Sequence, residues 1–437
     1  MKYLSRIVDA ELDLRLRSVG ATLIVGPKWC GKTTTAKQHA KSVLEMQNPD
    51  LQEGYLKLAE TKPSLLLQGE KPRLIDEWQL APVLWDAVRA SVDNSGEKGQ
   101  YILTGSVVKD DSQTKHTGTG RISRLEMTPM TLWESEESSG DVSLLEMFKN
   151  PADEIDGAKG KLSVEELIFA ACRGGWPSAL SARGDDAKLF IATDYVNNVA
   201  EVDISRVDNV ERDPLVASLL LKSYARNIST LANKTSMRKD ILAVQDISMP
   251  TVDSYLAALR KLFVIGDIPA WCPAIRSAAS MRSTPKRGMC DPSVAVAALG
   301  ADPEYFLKDF KTFGFIFESL VMRDLKAYSM ALGGKLSYYR DRYGLEADAV
   351  LHLKDGRYAL IEIKLGGAIR IEEGAANLNK LAEKIDAEKM KNAFYETLLS
   401  FLNKSLSVLI TSTKNSIFLG WTLLSTIIKT PSQITAD

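Results

Sequence analysis

Residues 26–33 read Gly26-Pro27-Lys28-Trp29-Cys30-Gly31-Lys32-Thr33, a complete match to the spacing G-x4-G-K-[ST]. The two glycines permit backbone angles that turn successive N–H groups inward, and a helix starting at Lys32 adds its positive end, so the segment is built to hold phosphates. Lys32 is placed to reach the β- and γ-phosphates of ATP, and the Thr33 hydroxyl to ligate Mg²⁺. Pro27, Lys28, Trp29, Cys30 and the following Thr34 complete the nucleotide-contacting run. The context fits: Ala21-Thr-Leu-Ile-Val25 is a short apolar strand before the loop, and Lys32 to Met46 reads as a helix after it.

Outward from the loop, strands and helices continue to alternate, which predicts a mostly parallel sheet covered on both faces. A second strand, Arg73 to Ile75, ends in Asp76-Glu77, 44 residues after Lys32 (76 − 32). A third, Gln100 to Leu103, ends in Thr104-Gly105-Ser106. Hydrolysis needs a carboxylate near the metal and a group that orients water. Asp76 is expected to hold Mg²⁺ through water, Glu77 to orient the attacking water, and Thr104 to offer a hydroxyl on the γ-phosphate side. An acidic pair that merely ends a strand is the plainer alternative.

The chain of 437 residues exceeds one compact core and implies two or three domains. With 45% apolar and 25% charged residues each can bury a core. A net charge of −1 excludes strong whole-molecule attraction to nucleic acid or acidic membranes. The four cysteines, Cys30, Cys172, Cys272 and Cys290, form no C-x-x-C pair and read as reduced thiols. The N-terminus lacks a signal peptide, and the apolar stretch from Ser405 to Ile428 is interrupted by Lys414 and Asn415, so a cytoplasmic protein is expected.

The segment from Ser205 to Ala270 is helical in pattern. Ser248 or Thr251 can cap a helix whose Val252, Tyr255, Leu256 and Leu259 share a face, followed by a strand from Leu262 to Ile265, as in a winged helix-turn-helix. Between Ser205 and Cys290 there are 13 Lys or Arg and 7 Asp or Glu, a net of +6 (13 − 7). Such local basicity suits a module touching a DNA backbone, with Tyr255, Arg260 and Lys261 the residues to watch. Many winged helices instead contact proteins.

Beyond Phe310 the strands are Lys335 to Arg340, Glu346 to Leu353 and Arg357 to Lys364, with Asp355-Gly356 as a tight turn and Ser407 to Thr411 closing the sheet. Two-residue spacing puts Glu362 and Lys364 on one face, and Glu346 and Asp348 on one face of the neighbouring strand. Glu318, on the preceding helix, can point to the same place. Asp348, Glu362 and Glu318 as Mg²⁺ ligands, with Lys364 stabilising charge, would suit metal-assisted phosphodiester cleavage. A solvated polar sheet face is the plainer reading of E-x-K alone.

The blocks P-K-W-C-G-K-T-T-T, R-L-I-D-E-W-Q-L-A-P, Y-I-L-T-G-S, H-T-G-T-G-R-I, R-G-G-W-P, F-E-S-L-V-M-R-D-L and I-E-I-K-L-G, in that order, resemble the bacterial and archaeal AAA+ type ATPases that carry a C-terminal domain-of-unknown-function 4143 region. The resemblance covers nearly the whole length. It implies an α/β architecture: a P-loop AAA+ type parallel-sheet domain (1–200), a central helical winged-helix domain (201–290), and a C-terminal α/β domain similar to PD-(D/E)xK nucleases (291–437). It also implies Arg121 after the third strand. Arg121 and Arg124 are candidates for a charge completing the ATP site, within the chain or from a neighbouring subunit of a homo-oligomer. Arg173-Gly-Gly-Trp-Pro177 reads physically as a tight turn with an aromatic anchor.

Two functions follow as expectations. One is a Mg²⁺-dependent ATPase controlling a nuclease-like domain that acts on DNA. The other is a nucleotide-switched module binding DNA or protein, with an inert C-terminal fold. A metabolic P-loop kinase is weaker, because nothing after the core resembles a small-substrate lid.

Overall fold

The computed structural model describes residues 2–105, 117–150, 158, 160–274, 278–365, 368–387 and 416–419. Its first sheet has five parallel strands in the order β2-β3-β4-β1-β5: β1 (Ala21–Val25), β2 (Ser42–Glu45), β3 (Arg73–Asp76), β4 (Tyr101–Gly105) and β5 (Ile122–Glu126). All five residues of β1 are buried, four of them apolar with only Thr22 between, as expected of a central parallel strand covered on both faces. Leu23 and Val25 join a core with Ile75, Leu84, Trp85 and Leu103 on one face. Ile24 joins Leu12, Leu74, Ile102 and Leu125 on the other.

The helix expected to run from Lys32 to Met46 is corrected. It ends at His39, and Ser42–Glu45 forms β2 against β3. β2 is an edge strand burying only Leu44, so its four residues carry too short and too polar a pattern to read as a strand.

Helices Pro214–Arg226, Lys234–Leu242 and Met249–Lys261 form the centre of the chain. Of the two cap candidates, Ser248 is the N-cap, accepting from Thr251 N at 3.2 Å. No strand spans Leu262 to Ile265. Phe263 turns at φ 59, and an irregular antiparallel ribbon follows, with single bridges Ile265↔Met289 and Ile268↔Lys286.

The 22-residue helix Phe310–Ala331 leads to a second sheet of order β6-β7-β8-β9: β6 (Lys335–Arg340), β7 (Glu346–His352), β8 (Tyr358–Ile363) and β9 (Ser416–Leu419). β7 and β8 pair antiparallel across the Asp355-Gly356 turn, with Gly356 at φ 92. The strand expected at Ser407 to Thr411 lies outside the described residues, as does Ser106. One continuous core runs from Ile7 and Leu132 through the central helices to Phe317, Leu325 and Ile361, so the long helix is packed against all three regions.

The Arg173 to Pro177 block is structural in its contacts. Trp176 is fully buried and donates to Ser293 Oγ, Gly175 N donates to Asp291, and Arg173 forks onto Glu137. Among the described residues no helix is long and apolar enough to cross a membrane.

Candidate active site

The phosphate loop is a tight structure held from below. Gly26 sits at φ 149, where a Cβ would meet Met127 O at 2.2 Å, and Gly31 caps the helix at φ 102. Lys32 is buried and donates to Gly26 O (3.0 Å) and Pro27 O (2.8 Å), so its ammonium lies over the loop. Beneath it, buried Arg6 donates to Cys30 O and Thr128 O and pairs with Glu134. Pro27 and Cys30 are buried and Thr34 is exposed. Trp29, at φ 65, is 45% exposed and meets Tyr195 edge-on. Lys28 reaches Asp203 Oδ1 at 2.6 Å.

Strand order brings the other candidates to the loop. Parallel register aligns Ile24 with Thr104 and Ile75 with Leu103, so β4 carries Thr104 into the gap between the loop and Asp76. Asp76 Oδ1 accepts from Thr33 Oγ1 at 2.7 Å and from Thr104 Oγ1 at 2.5 Å. Thr104 Oγ1 also accepts from Glu77 N at 3.3 Å. Glu77 takes a left-handed conformation (φ 55) and is bonded by Gln79 Nε2. Burial pushes its carboxyl above the ordinary range; Lys32 opposes this and Asp76 adds to it. The half-buried Thr33 hydroxyl at the helix start and the buried Asp76 carboxylate at the end of β3 are hard oxygen donors of the kind Mg²⁺ takes, so both fit that ion.

Arg121 is not brought to this group within the chain. It precedes β5, its carbonyl accepts from Ala21 N, and its side chain pairs with Asp93. Ala21 starts β1 whereas the phosphate loop follows its end, so Arg121 lies at the opposite end of the strands from the loop. Arg124 is on the exposed side of β5.

In the C-terminal sheet, Glu362 and Lys364 meet at 2.6 Å, and Lys364 approaches Asp348 at 3.7 Å. Asp348 Oδ2 also accepts from Ile363 N at 2.9 Å. Glu318 joins them through Lys286, whose Nζ lies 2.6 Å from Glu318 and 3.4 Å from Asp348 Oδ1. Burial pushes Glu318 up to about 8 and Glu362 up to about 7, with Asp348 contributing to both. Among the described residues no three His, Cys, Asp or Glu side chains form a metal-holding group. As folded, these carboxylates are bridged by ammonium groups and do not fit a divalent ion. Glu346 instead pairs loosely with Arg340. Tyr255 is buried and accepts from Asp213 N, Arg260 pairs with Asp267, and Lys261 approaches Asp208.

Sequence reasoning missed Arg6, Asp203 and Lys286, none of which sits in a recognisable motif.

The sheet order, the phosphate loop and the Asp76–Thr104 cluster are those of a P-loop nucleotide-binding domain. Residues 19–136 match a family model described as an AAA domain, residues 164–305 a domain of unknown function (DUF8612), and residues 313–410 a domain of unknown function (DUF4143). The chain is similar to a solved Walker-type ATPase of Pyrococcus abyssi at 13% identity, covering 68% of this chain and 96% of that one with a TM-score of 0.41. It is also similar to a DNA replication initiation factor at 12% identity, covering 58% and 86% with a TM-score of 0.25. No curated protein sequence matches it.

Proposed function

We propose that this chain is a Mg²⁺-dependent ATP hydrolase whose nucleotide state acts on its central and C-terminal regions. The observation that carries the reading is the double hydrogen bond at Asp76 Oδ1, which ties Thr33 of the phosphate loop to Thr104 of β4. The backbone N–H groups of residues 28–34 hold the phosphates, Pro27 having none, and Lys32 neutralises their charge. Thr33 and Asp76 hold Mg²⁺, which supplies Lewis-acid neutralisation of the phosphate oxygens. Glu77 orients water and takes its proton; Thr104 fixes Asp76 and the Glu77 backbone.

The test is phosphate release and nucleotide binding in Lys32→Ala and Glu77→Gln. Lys32→Ala should lose both, and Glu77→Gln should keep binding and lose turnover. Undiminished turnover in both variants would sink the assignment.

Units 1–200, 201–290 and 291–437 are the divisions we propose. Paired helices followed by the ribbon from Val264 to Cys290 support a winged-helix-like unit. The hairpin bearing Asp348, Glu362 and Lys364 supports a nuclease-like one, with DNA as the partner of both. A second reading, a nucleotide-switched DNA- or protein-binding module with an inert C-terminal unit, is favoured by the seating of Lys286 among the carboxylates. A homo-oligomer would give Arg121 a site in a neighbour.

A further inference from the structure

We infer that Lys286 is an internal cation that occupies the C-terminal carboxylate cluster and keeps it closed to divalent metal. The inference rests on the C-terminal half of the reading above and not on ATP hydrolysis.

Lys286 does not come from the sheet that carries Asp348 and Glu362. It comes from the ribbon, where its N–H donates to Ile268 O at 2.9 Å and its carbonyl accepts from Ile268 N at 2.8 Å. From there the side chain, 9% exposed, enters the cluster. Its Nζ meets Glu318 Oε1 (2.6 Å), the Asp348 carbonyl (3.1 Å) and Asp348 Oδ1 (3.4 Å). An ammonium has three donors, and here all three are used. A buried lysine is tolerated only when paired this way, so the cluster and Lys286 are each other's compensation.

Charge makes Lys286 and a metal mutually exclusive. Glu318, Asp348 and Glu362 offer three negative charges at most, and Lys286 with Lys364 supplies two positive ones. A divalent ion added to that set would leave a buried net positive charge, which the low-dielectric interior penalises. Withdrawing Lys286 reverses the balance. Glu318 Oε1 and Asp348 Oδ1, which now share its ammonium, would then be left as two hard oxygen donors with no cation between them.

The experiment is Mn²⁺ binding to the nucleotide-free full chain, followed by electron paramagnetic resonance. All samples carry Asp76→Asn to exclude the phosphate-loop site. The parent should bind no Mn²⁺ at the cluster. Lys286→Met, which keeps the apolar stem, should bind one Mn²⁺ per chain, on the order of tenfold or more tightly than any residual binding of the parent. Adding Asp348→Asn should abolish it. Equal Mn²⁺ binding in parent and variant, whether present in both or in neither, would overturn the inference. If Lys286→Met is unfolded by circular dichroism, Lys286→Gln decides by the same comparison. Loss or retention of ATP turnover leaves this result unaffected, so the two readings fail separately.

Discussion

Lys28 Nζ lies 2.6 Å from Asp203 Oδ1, so a side chain of the phosphate loop is held by a residue 175 positions away. Asp203 ends a π-helical turn, Val199–Asp203, a distortion that recurs where a helix serves a site. Its carboxylate is nearly buried, whereas Lys28 is 42% exposed and correspondingly screened. The pair competes with phosphate for Lys28. Asp203→Asn should therefore tighten ATP binding by up to about fivefold, the equivalent of about 1 kcal/mol for a half-exposed ion pair. Titration with a fluorescent nucleotide checks this; unchanged or weaker affinity would refute the competition.

Glu77 should set the acid limb of turnover. It acts as a base only when ionised, so activity falls as pH drops through its pKa. Burial has raised that pKa, and the fall should therefore begin above the ordinary carboxylate range. Glu77→Gln should lower kcat by about 10²-fold or more and flatten the limb. A rate–pH profile of both proteins tests the point, and an acid limb retained in the variant would assign it to another group.

How much of this was legible depended on range in sequence. β1, the phosphate loop, Asp76-Glu77 and the Asp355-Gly356 hairpin were readable because each is decided by neighbours: an apolar run, fixed glycines, a strand end, a two-residue turn. β2 was not, because an edge strand with one buried residue has almost no pattern. Lys286 was not, because its meaning lies 32 residues away at Glu318 and 62 away at Asp348. Arg121 is different. A residue just before a parallel strand sits at the end of the sheet opposite a loop that follows one, so the expected topology already argued against a role within the chain.

Arg121→Ala should accordingly leave turnover unchanged in dilute solution, where its partner is Asp93 and not a phosphate. Turnover measured across a range of protein concentrations separates the alternatives. A deficit that grows with concentration would place Arg121 in a neighbour's site; a deficit at every concentration would contradict the geometry.

Gly175 should be intolerant of a methyl group. A Cβ there would lie 2.0 Å from Met130 O and 2.8 Å from Met130 N, while Met130 N donates to Gly175 O at 2.7 Å. The obstacle is backbone, which cannot swing away, so Gly175→Ala must break that bond and shift the turn. A loss of about 1–3 kcal/mol is expected in urea unfolding. A midpoint equal to wild type would mean that the two segments separate freely.

Asp324 should make the joint between the ATPase sheet and the long helix pH-dependent. Its Oδ2 accepts from Leu132 N at 3.0 Å, its Oδ1 pairs with Arg323 at 2.7 Å, and Arg323 also holds Asp291. Burial outweighs the Arg323 pairing and pushes the carboxyl up to about 6. The folded chain therefore keeps a proton that the unfolded chain releases. That contribution is fully present below a pH of about 4, the pKa of an unperturbed Asp, and is lost as pH rises through about 6. Asp324→Asn keeps an acceptor for Leu132 N and cannot titrate. The Tm of wild type relative to this variant should fall between those two pH values and level off above them. Curves that stay parallel across the window would show that Asp324 is ionised throughout, held down by Arg323 against the cost of its burial.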